Sequence, residues 1–154
     1  MSRRLRPVEA DDLPAVARLH ALCFPEDSWD EKALGELLAM AGGSGHLVED
    51  SEEGRPLGLI MDLILAADAE ILTLAVTPDC RRQGIGRALL ADLFERAWRG
   101  GARSIGLEVA ADNAPARELY ESCGFAPQGR RRGYYQRRGS GSVDALLFRR
   151  PLLP

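Results

Sequence analysis

Cysteine and histidine are scarce in this sequence of 154 residues, which contains three cysteines and two histidines. The cysteines lie far apart, at Cys23, Cys80 and Cys123, and no C-x-x-C pair occurs. A disulfide framework usually needs an even set of cysteines, and a zinc site needs closely spaced ligands. We therefore expect three free thiols, with no disulfide framework and no metal site.

Long apolar runs are also lacking, since every run is far shorter than the roughly 20 residues that cross a membrane. The N-terminus, Met-Ser-Arg-Arg-Leu-Arg, is basic but has no apolar segment, and we therefore do not expect it to be a signal peptide. The net charge of −3 is too small to indicate a nucleic-acid binder. These features predict a cytoplasmic protein with one domain over residues 1–154, without a membrane partner or direct nucleic-acid binding.

Lysine is almost missing, because Lys32 is the only one, and this excludes a Walker A loop. A glycine- and arginine-containing loop nevertheless lies between a β-rich apolar run and a helical pattern. Such a turn binds anions, because its N–H groups and the helix dipole face the ligand. A dinucleotide-binding turn would need a third glycine in register. We therefore predict a pyrophosphate site that is formed by Arg81, Arg82, Gln83, Gly84, Ile85, Gly86 and Arg87.

Hydrophobic periodicity and breaker residues predict strands that alternate with helices and then finish as a hairpin. The predicted strands cover residues 5–8, 46–49, 56–65, 71–76, 104–109, 125–132 and 143–149. The predicted helices begin at an Asp11 N-cap, at a capping box from Ser28 to Glu31, at Gly86 and at Asn113. Glycine clusters at 42–45 and 139–142 predict loops. The pattern indicates a mixed sheet with helices on both faces, an α/β (α+β) fold class.

Three segments carry a family resemblance. The first, Glu70–Leu90, contains a strand followed by Arg-x-x-Gly-x-Gly. The second, Leu107–Phe125, contains Leu-Glu-Val, Asn, Leu-Tyr and Gly-Phe in order, and the third joins Arg131–Tyr135 to Asp144–Phe148. Together they resemble the Gcn5-related N-acetyltransferases (GNAT), most closely their ribosomal-protein-alanine type (the RimI type). The resemblance is strong between Glu70 and Phe125 and looser elsewhere.

The resemblance implies a GNAT-like fold and acetyl-CoA as the cosubstrate. In that fold a central, mostly antiparallel sheet contains a splayed pair of strands, and about four helices cover its two faces. The backbone of Leu74, Ala75 and Val76 would bind the pantetheine arm as a missing strand would. An N–H of that strand would face the thioester carbonyl. Asn113 would contact CoA in addition to capping its helix.

Glu108 and Tyr120 are the candidate catalytic residues. Alternation places Glu108 on the opposite face from Leu107 and Val109, where a carboxylate is either solvated or part of a site. Tyr120, at the end of a short helix, is on its own pattern a core residue with its hydroxyl at the rim. The resemblance implies that Glu108 is the general base, acting through water, and that Tyr120 is the general acid that protonates the leaving thiolate.

The acceptor side is less strongly indicated. The resemblance implies that Tyr134 and Tyr135 lie in a loop that lines a peptide groove and that Trp29 covers the substrate, although Trp29 alternatively anchors the start of its helix. The basic cluster Arg130–Arg132 is either a solvated hairpin face or a surface for an acidic partner or RNA. His20 and His46 are predicted to be structural.

Three functions remain open at this point. The leading one is transfer of acetyl from acetyl-CoA to the N-terminal α-amino group of a protein, a ribosomal protein with N-terminal alanine. The second is acetylation of a small-molecule amine or a lysine. The third is a non-catalytic acyl-CoA-binding module, against which the presence of both Glu108 and Tyr120 argues.

Overall fold

A computed structural model describes residues 2–139 and 141–153. In this part of the chain seven strands form one sheet: β1 (Arg3–Pro7), β2 (Gly43–Asp50), β3 (Pro56–Leu65), β4 (Asp68–Val76), β5 (Ser104–Ala110), β6 (Ala126–Arg137) and β7 (Gly141–Pro151). The helices are α1 (Leu13–Cys23), α2 (Glu31–Ala39), α3 (Ile85–Arg99) and α4 (Ala114–Ser122). Ser140, within the predicted loop at 139–142, lies outside the described residues.

The sheet is mostly antiparallel and has the strand order β1-β2-β3-β4-β5-β7-β6. Only β4 and β5 pair in parallel, and their ladder joins Asp68–Ile71 to Ser104–Leu107. Beyond Ile71, β4 continues on β3 as far as Val76, while β5 continues on β7 as far as Ala110. The two strands therefore diverge, which confirms the predicted fold with its splayed pair of strands.

A β-bulge lies where the divergence begins. Met61 of β3 pairs with Thr73, whereas the next residue, Asp62, pairs with Ile71, so Leu72 is an extra residue in β4. A bulge bends its strand and increases the local twist. It thus turns the second half of β4 away from β5 and opens a V-shaped cleft between the two strands.

Two helices cover each face of the sheet. On one face α3 buries Ile85, Leu89, Leu90, Leu93 and Ala97, the helical stripe that the sequence predicts, and α4 adds Tyr120. On the other face Val16 and Leu19 of α1 and Leu34 of α2 pack against β2, β3 and β4. Glu108, between two residues of the first core, faces the side of α1 and α2, as alternation predicts.

Several predicted boundaries are wrong. Asp30 rather than Ser28 caps α2, since its Oδ1 accepts from the Ala33 N–H at 2.8 Å. A 3-10 turn, Ala10–Asp12, precedes α1, so Asp11 is not its N-cap. The glycines at 43 and 45 belong to β2, where they pair with β3. The last hairpin is longer than predicted, because β6 continues to Arg137.

Candidate active site

The open end of the cleft is bordered by the ends of β4 and β5 and by the start of α3. Leu74–Val76 form one arm and Glu108–Ala110 form the other. A 3-10 turn, Pro78–Cys80, and the Arg81–Gly84 loop carry the chain from β4 into α3. The predicted pyrophosphate loop therefore lies at the mouth of the cleft.

The backbone of this loop has the geometry of an anion site. Gly84 is the N-cap of α3 with φ +83°, and a Cβ placed on it would have no heavy atom within 4 Å. Arg82 also has a positive φ, +62°. The space before Gly84 faces the first N–H groups of α3, which have no acceptor within the helix. The residues present thus fit a pyrophosphate group.

Two arginine side chains of the loop region make contacts within the protein, at Arg81 and Arg87. Arg81 Nε donates to the Val76 carbonyl at 3.2 Å, and Arg87 Nη2 donates to Ser122 Oγ at 2.8 Å. Arg81 thus connects the loop to β4, and Arg87 connects α3 to α4. Arg82 is exposed, and Arg3 of β1 donates to the Gln83 carbonyl at 3.0 Å. A cation from β1 is therefore bound to the loop.

Gly86 has a packing role that its place in the loop does not reveal. A Cβ on Gly86 would lie 2.7 Å from Leu119 Cδ2 of α4. This glycine therefore allows α3 and α4 to approach each other closely.

Asn113 caps α4, since its Oδ1 accepts from the Ala116 N–H at 3.3 Å, as its predicted capping role requires.

Glu108 lies at the divergence of the strands, with 25% of its side chain exposed. Its Oε1 accepts a hydrogen bond from Arg131 Nη2 at 2.6 Å. The Arg131 guanidinium also lies 4.4 Å from the centre of the Tyr134 ring. A residue of the basic cluster therefore holds the candidate base, and Arg130 is paired as well, with Asp144 at 2.9 Å.

Tyr120 is only 5% exposed and packs edge-on against Phe125, with ring centres 5.6 Å apart. Burial raises the pKa of Tyr120 well above its ordinary value of 10, and Tyr135 adds to this rise. Burial also raises the pKa of Tyr135, and the charge of Glu108 contributes to that rise. Tyr135 therefore lies near both candidate catalytic residues, and the Tyr120 hydroxyl keeps its proton at neutral pH.

The predicted acceptor residues lie in two different settings. Tyr134 and Tyr135 are in β6 rather than in a loop, at a register irregularity between Arg131 and Tyr135. The Tyr134 ring is 50% exposed and meets the Tyr135 ring edge-on. Trp29 instead stacks on His20, with ring centres 5.0 Å apart, and thus anchors the segment before α2.

His20 is the buried centre of that anchor. The Trp29 N–H donates to His20 Nδ1 at 3.1 Å, so the proton of the neutral ring is on Nε2, which donates to Thr73 Oγ1 at 3.0 Å. Burial lowers the pKa of His20 to about 4, although Asp27 opposes this effect. A neutral histidine thus ties α1 to β4 beside the bulge, as its predicted structural role requires.

A groove of about 410 Å³ reaches Glu108 along the sheet face that α1 and α2 leave open. Gly106 lies in its floor, and Leu63, Leu147 and Glu70 contribute to its walls. The groove joins the candidate base to the surface of the protein. It is large enough to hold several atoms of a chain that extends away from a reacting amine.

Sequence reasoning missed three contacts around the candidate site. Arg3 was part of an N-terminal run that we considered only as a possible targeting signal. Arg131 belonged to a cluster that was interpreted as a solvated hairpin face or as a surface for an acidic partner or RNA, and the pairing of Arg137 with Asp27 had no signal in the sequence. In the described part of the chain, no group of three or more metal-binding side chains occurs. No helix among the described residues is long and apolar enough to span a membrane.

Known proteins with similar sequences identify the family. The family model of the acetyltransferase (GNAT) family matches residues 13–125. The [ribosomal protein bS18]-alanine N-acetyltransferase of Escherichia coli is 34% identical over 148 residues, which cover 94% of this chain and 95% of that protein. The N-alpha-acetyltransferase RimI of Mycobacterium tuberculosis is 44% identical over 144 residues, which cover 90% of this chain and 86% of that protein.

The architecture agrees with these sequences. The crystal structure of the ribosomal-protein-S18-alanine N-acetyltransferase from Escherichia coli superposes with a TM-score of 0.89 at 29% identity, covering 99% of this chain and 96% of that one. The splayed strands β4 and β5 and the glycine-containing loop both lie within the residues that the family model matches. The prediction of an acetyltransferase is confirmed, and the chain belongs to the acetyltransferase (GNAT) family.

Proposed function

We propose that this protein transfers the acetyl group of acetyl-CoA to the N-terminal α-amino group of a ribosomal protein that begins with alanine. The observation that carries the proposal is the match to the Escherichia coli [ribosomal protein bS18]-alanine N-acetyltransferase, which covers 94% of this chain and 95% of that protein. The groove that leads to Glu108 suits an acceptor whose chain continues beyond the reacting amine.

The binding roles that we propose follow the cleft. The first N–H groups of α3, with Gln83, Gly84 and the exposed Arg82, would hold the pyrophosphate. The backbone of Leu74 and Ala75 would bind the pantetheine arm between the diverging strands. The Val76 carbonyl already accepts from Cys23 Sγ at 3.3 Å and from Arg81 Nε at 3.2 Å, so Val76 would contribute its N–H more readily. Asn113 and Tyr120 would lie on the other arm.

The chemistry that we propose uses two proton transfers. Acetyl-CoA supplies an activated thioester, and the residues of the chain handle the protons. Glu108 takes a proton from the acceptor ammonium through a water; its Oε1 is held by Arg131, so Oε2 receives the proton. Tyr120 gives its hydroxyl proton to the leaving sulfur. The raised pKa of Tyr120 keeps the hydroxyl protonated at neutral pH, and the tyrosinate that the transfer leaves regains a proton from water.

Mass spectrometry of the reaction products tests the proposed function. Purified protein and acetyl-CoA are mixed separately with a peptide that has the N-terminal sequence of ribosomal protein bS18, with the same peptide blocked at its N-terminus and carrying a lysine, and with a polyamine. We expect a gain of one acetyl group on the free N-terminus alone. Modification of only the lysine or the polyamine would favour the second function, and no transfer with tight acetyl-CoA binding would favour the non-catalytic module.

A further inference from the structure

Arg137, at the end of β6, is surrounded by carboxylates from two other parts of the chain. Its Nη1 donates to Asp27 Oδ2 at 2.7 Å, and its Nε donates to Asp112 Oδ2 at 3.0 Å. Glu26 lies 3.7 Å from Nε. The Arg137 side chain is only 15% exposed, whereas Asp27 and Asp112 are 35% and 47% exposed, so the guanidinium is shielded from solvent more than its partners are. We name Arg137, Asp27 and Asp112 the clasp.

The clasp connects the two arms of the cleft. Asp27 lies in the α1–α2 connection, which is fixed to β4 through His20 and Thr73 and through Cys23 and the Val76 carbonyl. Asp112 follows the end of β5 and directly precedes Asn113. Because β4 and β5 diverge towards these ends, a guanidinium that binds both segments spans the opening between the arms.

The clasp lies beside the residues of the proposed reaction. The Arg137 guanidinium lies 5.2 Å from the centre of the Tyr135 ring. Asp27 and Arg137 both act electrostatically on the Tyr135 hydroxyl, as Glu108 does. The clasp thus lies on the side of the cleft from which an acceptor must approach Glu108.

We propose that Arg137 is a positioning residue that holds the α1–α2 connection at a fixed distance from the end of β5, so that the clasp preforms the entrance for the acceptor. This inference rests on the proposed function, because it concerns the acceptor of that reaction. A preformed entrance orients the amine before the chemical step and so lowers the entropy that binding costs. The clasp does not touch the loop before α3, so we expect binding of acetyl-CoA to depend on the clasp much less than binding of the acceptor does, although Asp112 is adjacent to Asn113.

An arginine suits this position because its planar fork can bind two carboxylates in different directions at once. A lysine has one compact charge, which would pair with Asp27 or with Asp112 but would not hold both segments. The Arg137→Lys variant therefore keeps the positive charge but removes the bridge between the two carboxylates. Glutamine removes the charge and shortens the side chain, so that it no longer bridges the two carboxylates, and Arg6→Gln makes the same change at another site.

The test compares steady-state kinetics of Arg137→Gln and Arg137→Lys with those of a matched control, Arg6→Gln. Arg6 also bridges two carboxylates, Asp12 at 2.8 Å and Glu49 at 3.0 Å, but it lies in β1 at the opposite edge of the sheet from β6. We expect Arg137→Gln to raise the KM of the acceptor peptide about tenfold while the KM of acetyl-CoA stays within about twofold. Arg137→Lys should lie between Arg137→Gln and the wild type, and Arg6→Gln should leave both constants near those of the wild type.

Two further measurements make the test specific. If Arg137 and Asp27 act as a pair, the double variant Asp27→Asn, Arg137→Gln should lose no more acceptor kcat/KM than the worse single variant. Amide hydrogen exchange of residues 24–29 should be faster in Arg137→Gln than in Arg6→Gln. An acceptor KM in Arg137→Gln equal to that of Arg6→Gln would overturn the clasp, as would additive losses in the double variant. A wild-type protein that leaves the N-terminal peptide unmodified contradicts the proposed function instead, and hydrogen exchange then decides whether the clasp holds the connection.

Discussion

Arg131 of β6 holds Glu108 of β5 across an intervening strand, with 2.6 Å between Arg131 Nη2 and Glu108 Oε1. The two strands are not neighbours, because β7 lies between them in the sheet. The same guanidinium lies over the Tyr134 ring. The candidate base is therefore held by the strand that carries the two candidate acceptor-binding tyrosines.

Glu108→Gln should lower kcat by about 10²- to 10⁴-fold, the usual contribution of a general acid–base group. Glutamine has the same shape and can still accept a hydrogen bond from Arg131, so the fold and the affinity for acetyl-CoA should stay unchanged. The pH–rate profile of the variant should also lose its acidic limb. Glu118→Gln, which changes an exposed carboxylate on α4, is the control. Near-normal turnover of Glu108→Gln would show that Glu108 is not the base.

Tyr120→Phe should reduce kcat, by less than Glu108→Gln does, because a thiolate with a pKa near 8.5 can leave without a proton. The ring keeps its contact with Phe125, so the melting temperature at pH 7 should change little. Pre-steady-state measurement of acetyl transfer checks the rate. A wild-type rate in this variant would return Tyr120 to the role of a core aromatic residue.

Tyr120 also predicts an alkaline effect on stability. Its folded pKa is raised above its unfolded value of 10, so its contribution is complete below pH 10 and is lost as the pH rises further. The free energy of unfolding of the wild type should therefore fall more steeply above pH 10 than that of Tyr120→Phe. Parallel curves for the two proteins in urea titrations would contradict this.

Arg82→Gly should weaken binding of acetyl-CoA by about five- to tenfold, which corresponds to the loss of one charge-assisted contact with a phosphate. Glycine adopts the positive φ of this residue without strain, so the variant removes the charge and leaves the loop intact. The dissociation constant should also depend less on salt. Calorimetry checks both effects, with Arg99→Gln, at the far end of α3, as the control. Unchanged affinity would contradict a pyrophosphate at this loop.

His20→Gln should lower stability at pH 7 and lower it much less at pH 4. The folded pKa of His20, about 4, lies below the ordinary value of 6.5, so its contribution is complete above pH 6.5 and is lost as the pH falls towards 4. The difference of 2.5 pKa units corresponds to a loss of about 3 kcal/mol at the acidic limit. Urea titrations of both proteins between pH 7 and pH 4 measure the gap, and a gap that stays constant would contradict the buried neutral histidine.

Helix α3 and its loop were predicted well because their signals are local. The spacing of Leu89, Leu90 and Leu93 describes one helix face, and the glycines before them allow the turn into the helix. Gly43 and Gly45, at the start of β2, were assigned wrongly to a loop. A Cβ on Gly43 would lie 2.2 Å from the Leu37 carbonyl oxygen, and one on Gly45 would lie 2.6 Å from Met61 Sδ. Glycine occupies these two strand positions because α2 and β3 leave no room for a side chain.

The sequence by itself determined the elements of this protein whose cause lies within a few residues: the turn into α3, the helical stripes and the alternation that turns Glu108 away from Leu107 and Val109. Turn chemistry and periodicity act over such short distances. Only the tertiary structure decided which arginines hold the site. Arg131 reaches Glu108 over 23 residues, Arg3 reaches Gln83 over 80, and Arg137 reaches Asp27 over 110. Among 20 lysine and arginine residues, the arrangement of strands and connections in the fold brings each of these guanidinium groups to its partner.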